Sequence, residues 1–341
     1  MDDRLGRIDR GALRRTAAIY VRQAGDMREA LAGLRRRGLP TATAATVAGS
    51  MGIAGRAGAV PARWRERTAV LSRSVGAFKV VPLLDASGPF FLDRQQAFPG
   101  ATPRDWDLAR RVDPDAFGSG ETWRLDFRCF LVCGPGDRLT LVDTGVGPAG
   151  GPAAGWAPTP GQLPSELSRA GIDEADIDVV VVTHLHEDHY GWSVRPDGTP
   201  MFPNARYVIQ RGEIAALPAG DAAIAYVVDP LRAAGQLDQM DGAARLATAR
   251  GEPGGAIRVT PTPGHTPGHQ SVIVDGDRDQ VIITGDALVH AVQLVAPAVA
   301  YRYEADPEAA RRTRERLVET ACRRHAVLAT AHLRQAWTVL R

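Results

Sequence analysis

The sequence of 341 residues has little cysteine and no long apolar run, and both absences narrow its class. Its three cysteines are an odd number, and Cys129 and Cys133 fall on one predicted strand with Cα atoms about 13 Å apart, beyond disulfide reach. No disulfide framework is therefore indicated. No apolar stretch approaches the roughly 20 residues that span a bilayer, so no membrane partner is predicted. The chain also lacks the Gly-x-Ser-x-Gly elbow of serine hydrolases.

Charge is unevenly distributed, although the whole chain has a net charge of only +2. Residues 1–73 contain fifteen arginines against six acidic residues, a net charge of +9, whereas residues 74–341 carry a net charge of −7. We therefore divide the chain into a basic N-terminal extension, 1–73, and a globular body, 74–341. The negative body disfavours nucleic acid as a partner, because contacts with phosphates require a basic surface.

The basic extension admits three interpretations. Arg36 and Arg37 precede a weakly apolar stretch, 39–62, that contains small residues typical of a cleavage site, as in a twin-arginine export signal. Arg56 interrupts this stretch and Pro40 stands near its beginning, which favours a disordered extension or a misplaced start codon instead. We predict a cytoplasmic protein, with export through this segment as the alternative.

From residue 77 onward the chain alternates between apolar strands, turns and helices. Periodicity predicts strands at 78–84, 124–132, 139–145, 178–184, 206–210, 257–263, 270–276, 280–286 and 326–332. Helices are predicted at 164–171, 211–217 and 307–324. Asp306 is placed as the N-cap of the last helix and Pro307 at its first position. Many strands with few long helices indicate an α+β layered fold. The segment 85–123 is predicted to be irregular and is interpreted as a lid or as an oligomer contact.

The most unusual stretch is 183-THLHEDHYGW-192, which directly follows the buried apolar run 177-IDVVVV-182. It holds four candidate metal ligands: His184, His186, Asp188 and His189. Imidazoles and carboxylates buried this close together repel one another when charged and are costly to desolvate, unless a cation organises them. Their spacing around a strand exit can surround two neighbouring ions. The motif therefore predicts a site for divalent metal.

Four further stretches stand at the ends of predicted strands: 142-VDTG-145, 263-PGHTPGHQSV-272, 284-TGDA-287 and 330-TAHL-333. Together with the histidine-rich motif, and in this order, they resemble the metallo-β-lactamase superfamily over roughly residues 77–335. The resemblance implies a four-layer αββα sandwich whose site lies at the strand ends. It also implies a dinuclear centre with two zinc ions per chain.

By this resemblance the first zinc is bound by His184, His186 and His265, the second by Asp188, His189 and His332, and both by Asp286. Asp143 is similar to the family's aspartate that orients a ligand histidine, since metal-bound imidazoles usually donate their other N–H to a carboxylate or carbonyl. His269 is assigned a structural role in the turn. His325 is the alternative to His332, but it ends a helix rather than a strand.

Single positions separate the branches of the superfamily. His186 stands where the flavodiiron oxygen reductases of this fold have glutamate, which disfavours redox iron. Asp286 stands where the dizinc β-lactamases have cysteine, which disfavours antibiotic hydrolysis of that type. The remaining similarity is to acyl-homoserine lactonases and organophosphate hydrolases. Val289 departs from the lactonases, which have a tyrosine at this place, and Tyr190 is either its substitute or a packing residue. His290 is interpreted either as a hydrogen-bond donor behind the ligands or as a loop histidine.

The resemblance implies a hydrolase in which a hydroxide shared by two zinc ions attacks an ester or lactone bond of a small molecule. Asp188 and Asp286 take up the proton when the intermediate collapses, and Tyr190 is the third candidate catalytic residue. A phosphotriesterase or a sulfatase on the same metals is one alternative. A non-catalytic metal-binding member of the fold is the other. The predicted partner is a small-molecule substrate, and a homodimer is compatible with the sequence.

Overall fold

The computed structural model describes residues 72–250, 254–276 and 278–340. The interpretations of the N-terminal extension fall outside these ranges, so the division of the chain near residue 73 stays a prediction. Across the described ranges, no helix is both long and apolar enough to cross a membrane.

The first of two sheets has seven strands in sequence order. They are β1 Arg73–Val75, β2 Phe78–Pro89, β3 Arg124–Cys133, β4 Leu139–Val142, β5 Val179–Val181, β6 Arg206–Gln210 and β7 Leu237–Met240. Strands β1 to β4 pair antiparallel, whereas β4 to β7 pair parallel. The carboxyl ends of β4 and β5 therefore meet at one edge of the sheet.

The second sheet has six strands in the order β13-β12-β11-β10-β9-β8. They are β8 Ala244–Ala249, β9 Gly255–Pro261, β10 Gln270–Asp275, β11 Gln280–Ile283, β12 Val327–Ala329 and β13 Trp337–Val339. Only β11 and β12 pair parallel, and the other neighbours are antiparallel. Because β11 and β12 run in the same direction, the loops that follow them leave the sheet side by side.

Eight short or medium α-helices cover the outer faces of the sheets in the described part of the chain. They are α1 Arg94–Ala97, α2 Pro103–Val112, α3 Leu163–Arg169, α4 Glu187–Tyr190, α5 Arg211–Ala216, α6 Asp229–Ala233, α7 Ala291–Val295 and α8 Pro307–Arg324. Three-residue or four-residue 3-10 turns lie at Pro114–Ala116, Pro135–Asp137, Pro152–Gly155, Glu174–Asp176 and Gly285–Ala287, and a π-helical turn at Ile224–Val228. Asp306 caps α8 as predicted, accepting from the amides of Glu308 and Ala309.

The alternation of side chains in β3 explains why the sheets stack. Phe130 and Val132 pack between the two sheets, whereas Leu131 and the free cysteines Cys129 and Cys133 face the outer helices. A third apolar cluster lies between the outer face of the second sheet and the helices α2, α7 and α8. The predicted α+β fold, a four-layer αββα sandwich, is confirmed.

Several strands end earlier than the sequence predicts. The predicted strands 139–145, 178–184, 280–286 and 326–332 stop at Val142, Val181, Ile283 and Ala329. Val182 still donates its amide to Val208 of β6, but the amide of Thr183 donates to the carboxylate of Asp143 at 2.7 Å instead of to a strand. The candidate ligands therefore stand on loops just beyond the strands, where their side chains can converge.

The prediction that 85–123 is irregular is wrong in two places. Strand β2 continues through a bulge to Pro89, and α2 occupies the middle of the segment. Thr102 and Asp105 form a capping box at the start of α2, a signal that the sequence contains. The buried face of α2 carries Trp106, Ala109 and Val112. The buried face of α2 is thus part of the core, whereas the interpretation of 85–123 as a lid or an oligomer contact stays a prediction.

Candidate metal centre

Loops from both sheets converge on one end of the sandwich. The loop after β5 carries four of the candidate ligands and begins the short helix α4. His265 follows β9, Asp286 follows β11 in a 3-10 turn, and His332 follows β12. The structure brings all seven predicted ligands together in two groups, one of His184, His186, His265 and Asp286, the other of Asp188, His189 and His332.

The carboxylate of Asp286 stands between the two groups. Its Oδ2 atom lies 3.2 Å from Nε2 of His265 and 4.0 Å from Nε2 of His184. Its Oδ1 atom lies 2.9 Å from Nε2 of His332 and 3.2 Å from Nε2 of His189. Each oxygen therefore faces a different group, which is the arrangement required of a ligand shared by two ions.

The donor atoms fit a pair of small divalent cations. The Nε2 atoms of His184 and His189 and the Oδ1 atom of Asp286 are buried without a hydrogen-bond partner, although such atoms are costly to bury alone. Zinc bonds to nitrogen of about 2.0–2.1 Å imply about 3.3 Å between tetrahedral ligands. The observed separations of 2.9 to 4.0 Å scatter around that value.

The protonation states of most of these side chains also suit a cation, which requires neutral imidazoles and charged carboxylates. Burial holds the pKa of His184 and of His265 well below the usual range, so their rings are neutral. Burial acts to raise the pKa of Asp286, but the surrounding histidines hold it well below its usual range. His189 differs, because three carboxylates outweigh its burial and raise its pKa. A metal at His189 must therefore displace a proton.

Asp143 orients one of the candidate ligands. Its Oδ2 atom lies 2.9 Å from Nδ1 of His189, which leaves Nε2 of that ring directed at Asp286 and Asp188. The same carboxylate accepts from the amide and the hydroxyl of Thr183, at 2.7 and 3.0 Å. The geometry matches the orienting role that the resemblance implied for Asp143.

His269 supports Asp286 rather than joining either group. Its Nε2 atom accepts from the amide of Asp286 at 3.0 Å, so its proton resides on Nδ1 and is donated to the hydroxyl of Thr262 at 2.8 Å. Burial lowers the pKa of His269 to about 4, which keeps this neutral form. The ring fixes the backbone that carries the shared carboxylate.

His332 and His325, the two alternatives for the last ligand, lie in different surroundings. His332 donates from Nδ1 to the carbonyl of Asp126 at 2.9 Å, and its Nε2 atom faces both Asp286 and Asp188. His325 ends α8 in a left-handed conformation and is exposed to solvent. Of these two histidines, only His332 reaches the centre.

Glu213, on α5, joins the two loops that carry the first group, and the sequence analysis missed it. Its carboxylate accepts from the amide of Leu185 at 2.8 Å, from the hydroxyl of Thr266 at 2.7 Å and from the amide of Gly268 at 2.9 Å. A Cβ atom on Gly268 would lie 2.1 Å from the Glu213 nitrogen, so only glycine permits this approach. No sequence signal distinguishes Glu213 from a solvated glutamate on a short helix.

Exchanging Glu213 for glutamine is expected to loosen both loops. The amide NH₂ would replace an oxygen that now accepts hydrogen bonds, which leaves buried donors unsatisfied and lowers the free energy of unfolding by about 2–3 kcal/mol. Zinc affinity should fall about 10- to 100-fold, as for other residues that orient ligands. Equilibrium competition with a zinc chelator and urea unfolding measure the two effects. The exposed Glu319→Gln serves as the control, and an unchanged zinc affinity in Glu213→Gln would contradict the role.

A cavity of about 410 Å³ opens onto the two groups. Its wall is largely aromatic and apolar: Phe90, Phe91, Leu125, Trp156, Leu185, Val289, Tyr301 and Tyr303. Within the described ranges, no lysine or arginine lines it. This volume and lining suit a small, uncharged organic molecule.

The structure places Tyr190 at the cavity but against the core. Its side chain is almost fully buried and its ring packs on Tyr226, with centroids 5.8 Å apart. Val289, which follows Asp286 in the chain, also lines the cavity. The catalytic role predicted for Tyr190 stays a prediction.

His290 is neither a ligand nor a partner of one. Four aromatic rings surround it at 5.4 to 5.5 Å between centroids: Phe98, Trp106, Phe117 and Trp123. Its Nδ1 atom accepts from the amide of Val292 at 3.0 Å and so caps α7. Burial, and then the charge of Arg94, lowers the pKa of His290 to about 3. This histidine has a structural role that depends on its being neutral.

Acid is expected to lower the free energy of unfolding, because His290 is neutral in the folded state. The folded state keeps this ring neutral, whereas the unfolded chain binds a proton below about pH 6.5, so stability falls as pH falls, by about 1.4 kcal/mol per unit. In His290→Asn the amide can still cap α7, but nothing titrates at this position. Between about pH 7 and about pH 5 the variant should lose about 2 kcal/mol less unfolding free energy than the wild type. Urea unfolding at both pH values measures this, and equal losses would contradict it.

Comparison with known proteins identifies similar sequences and folds. Residues 128–323 match the family model of the metallo-beta-lactamase superfamily. The chain is 29% identical over 171 residues to the N-acyl homoserine lactonase AttM of Rhizobium radiobacter, which covers 46% of this chain and 62% of that protein. It is 29% identical over 122 residues to an N-acyl homoserine lactonase of a Bacillus species, covering 36% and 42%. The chain thus spans less than two thirds of these relatives.

Solved structures share the fold. The hydrolase AbOPH of the beta lactamase superfamily is 23% identical, with a TM-score of 0.65 over 79% of this chain and 92% of that one. The dizinc quorum-quenching lactonase AidC, in complex with a product, is 19% identical, with a TM-score of 0.62 over 79% and 92%. At these identities the likeness concerns the arrangement of sheets and helices.

Proposed function

Because this chain belongs to the metallo-β-lactamase superfamily, we propose that it is a dinuclear zinc-dependent hydrolase that cleaves an ester or lactone bond in a small molecule. The observation that carries the proposal is Asp286, whose two oxygens face two separate groups of buried ligand atoms. The similarity to N-acyl homoserine lactonases supports a lactone or a related ester as the substrate.

The residues of the centre would hold two zinc ions, one at each group. Zinc supplies a hydroxide nucleophile near neutral pH, because it lowers the pKa of bound water to about 7. Asp286 keeps the groups adjacent, while Asp143 and the carbonyl of Asp126 fix the ring orientations of His189 and His332. Asp188, whose Oδ2 atom lies 3.4 Å from Nε2 of His332, or Asp286 would take up the proton released on attack.

A phosphotriester is the second candidate substrate, favoured by one observation. The described cavity wall has aromatic and apolar side chains but no lysine or arginine to pair with an anionic substrate. Lactones, esters and phosphotriesters are neutral, whereas sulfate esters carry a charge. The cavity therefore suits a phosphotriester better than the substrate of a sulfatase.

The test is metal analysis combined with a substrate panel on purified, zinc-loaded protein. We expect close to two zinc ions per chain and turnover of N-acyl homoserine lactones or aryl esters, with slower or no turnover of aryl sulfates. A phosphotriester that is the best substrate would select the second candidate. Two bound ions without turnover of any substrate would indicate a non-catalytic member of the fold.

Partners and localisation follow from the same proposal. A small-molecule substrate requires no nucleic acid or membrane partner, and we propose a cytoplasmic enzyme with export as the alternative. A homodimer remains compatible, and light scattering of the purified protein measures it.

A further inference from the structure

Tyr301 lies directly beside the first group of ligands. Its ring stacks on the imidazole of His265, with 6.0 Å between centroids and 11° between planes. The side chain is mostly buried, and it lines the cavity together with His265 and Asp286. The stack and the shared cavity wall place the Tyr301 ring beside the first group of candidate ligands.

The hydroxyl of Tyr301 has no hydrogen-bond partner in the part of the chain that the structure describes. By contrast, the hydroxyl of the buried Tyr207 donates to the carbonyl of Ser193, and that of the partly buried Tyr226 donates to the carbonyl of Gly191, both at 2.9 Å. A buried tyrosine hydroxyl usually finds a partner. The free O–H of Tyr301 is therefore available to a molecule in the cavity.

Few groups in the cavity wall can donate to a substrate oxygen. Among the described lining residues, the only hydroxyls belong to Tyr190, Tyr301 and Tyr303. Tyr303 is 43% exposed, and Tyr190 packs into the core, where its ring contacts Tyr226. The indole N–H of Trp156 is already donated to Glu187. Of these three, Tyr301 is the one whose ring stacks on a candidate ligand, His265.

Given the proposed function, we propose that Tyr301 is a catalytic residue whose hydroxyl donates a hydrogen bond to the carbonyl or phosphoryl oxygen of the substrate. Negative charge develops on this oxygen during attack, and a fixed donor in a largely apolar cavity wall stabilises that charge without having to reorient. The O–H bond stays intact, so no proton is transferred. Val289, Leu125 and Leu185 give the nearby wall no other donor.

Tyr301→Phe tests this role because phenylalanine preserves the stack on His265 and removes only the hydroxyl. On the full-length, zinc-loaded protein, kcat for the best substrate of the panel should fall about 10- to 100-fold, while KM changes less than about threefold. Zinc content should stay near that of the wild type. Calorimetric titration with diethyl phosphate, an oxyanion that is not hydrolysed further, should show about tenfold weaker binding.

The outcomes distinguish Tyr301 from its rival and from the proposed function. Wild-type kcat and diethyl phosphate affinity in Tyr301→Phe would overturn the proposal, as would a loss of kcat in Tyr190→Phe alone. A loss of zinc in Tyr301→Phe would also overturn it, since the residue would then act only through His265. A wild-type chain without turnover would contradict the proposed function, yet the diethyl phosphate affinities would still decide the role of Tyr301.

Discussion

Exchanging Asp286 for asparagine is expected to reduce hydrolysis more than about 100-fold, because even residues behind the ligands typically contribute 10- to 100-fold. The carboxylate offers one oxygen to each group, and asparagine has only one oxygen and no charge. Zinc content should fall below two ions per chain, which mass spectrometry under native conditions and metal analysis measure. The backbone amide that donates to His269 remains in place, so the fold should persist.

Two comparisons make the Asp286 result interpretable. Asp107→Asn changes an exposed aspartate on α2 in the same way and should leave activity and zinc content unchanged. His186→Ala removes a ligand of the first group only, and its zinc content should drop along with activity. An Asp286→Asn protein that retains two ions and full activity would contradict the shared-ligand geometry.

Removal of zinc is expected to destabilise the whole sandwich. The candidate ligands come from loops of both sheets, so bound ions connect the two layers directly. A ligand present at 1,000 times its dissociation constant stabilises the folded state by about 4 kcal/mol per site. For a domain of this size that corresponds to a fall in Tm of about 10 °C or more after chelation.

Scanning calorimetry of chelated and zinc-reconstituted protein measures this effect. Reconstitution should restore the transition, and the chelator should have a smaller effect on Asp286→Asn, which has less metal to lose. Identical transitions with and without zinc would mean that the groups bind no metal of consequence for folding.

Much of the fold and of the candidate site can be predicted from the sequence. Strand β5 is apolar because both of its faces are covered, and the polar motif 183–192 is conspicuous directly after such a strand. The candidate ligands stand out in the sequence because imidazoles and carboxylates rarely accumulate at a buried strand end without a cation. What the motif could not reveal is that Thr183 leaves the sheet, since its amide donates to Asp143, a residue of a different loop.

Other parts of the site depend on contacts between distant residues. Glu213 and Tyr301 resemble ordinary surface and core residues until the fold places one between two loops and the other on His265. His290 illustrates the same limit, because its surroundings include Phe98, Trp106 and Trp123 from a segment predicted to be irregular. Local sequence patterns predict helices and strands, whereas the surroundings of these three side chains depend on tertiary packing.

Asp143 also shows how narrow the choice of residue can become at a single position. Its backbone has a φ of +62°, a left-handed conformation that glycine, asparagine and aspartate accept but longer or branched side chains adopt only with strain. Asparagine would satisfy this backbone yet bring no charge to His189, and glutamate would bring the charge on an unsuitable backbone. The backbone conformation excludes glutamate, and the need for a negative charge beside His189 excludes asparagine. Replacement of Asp143 by glutamate, which is a mild change at most positions, is therefore severe at this one.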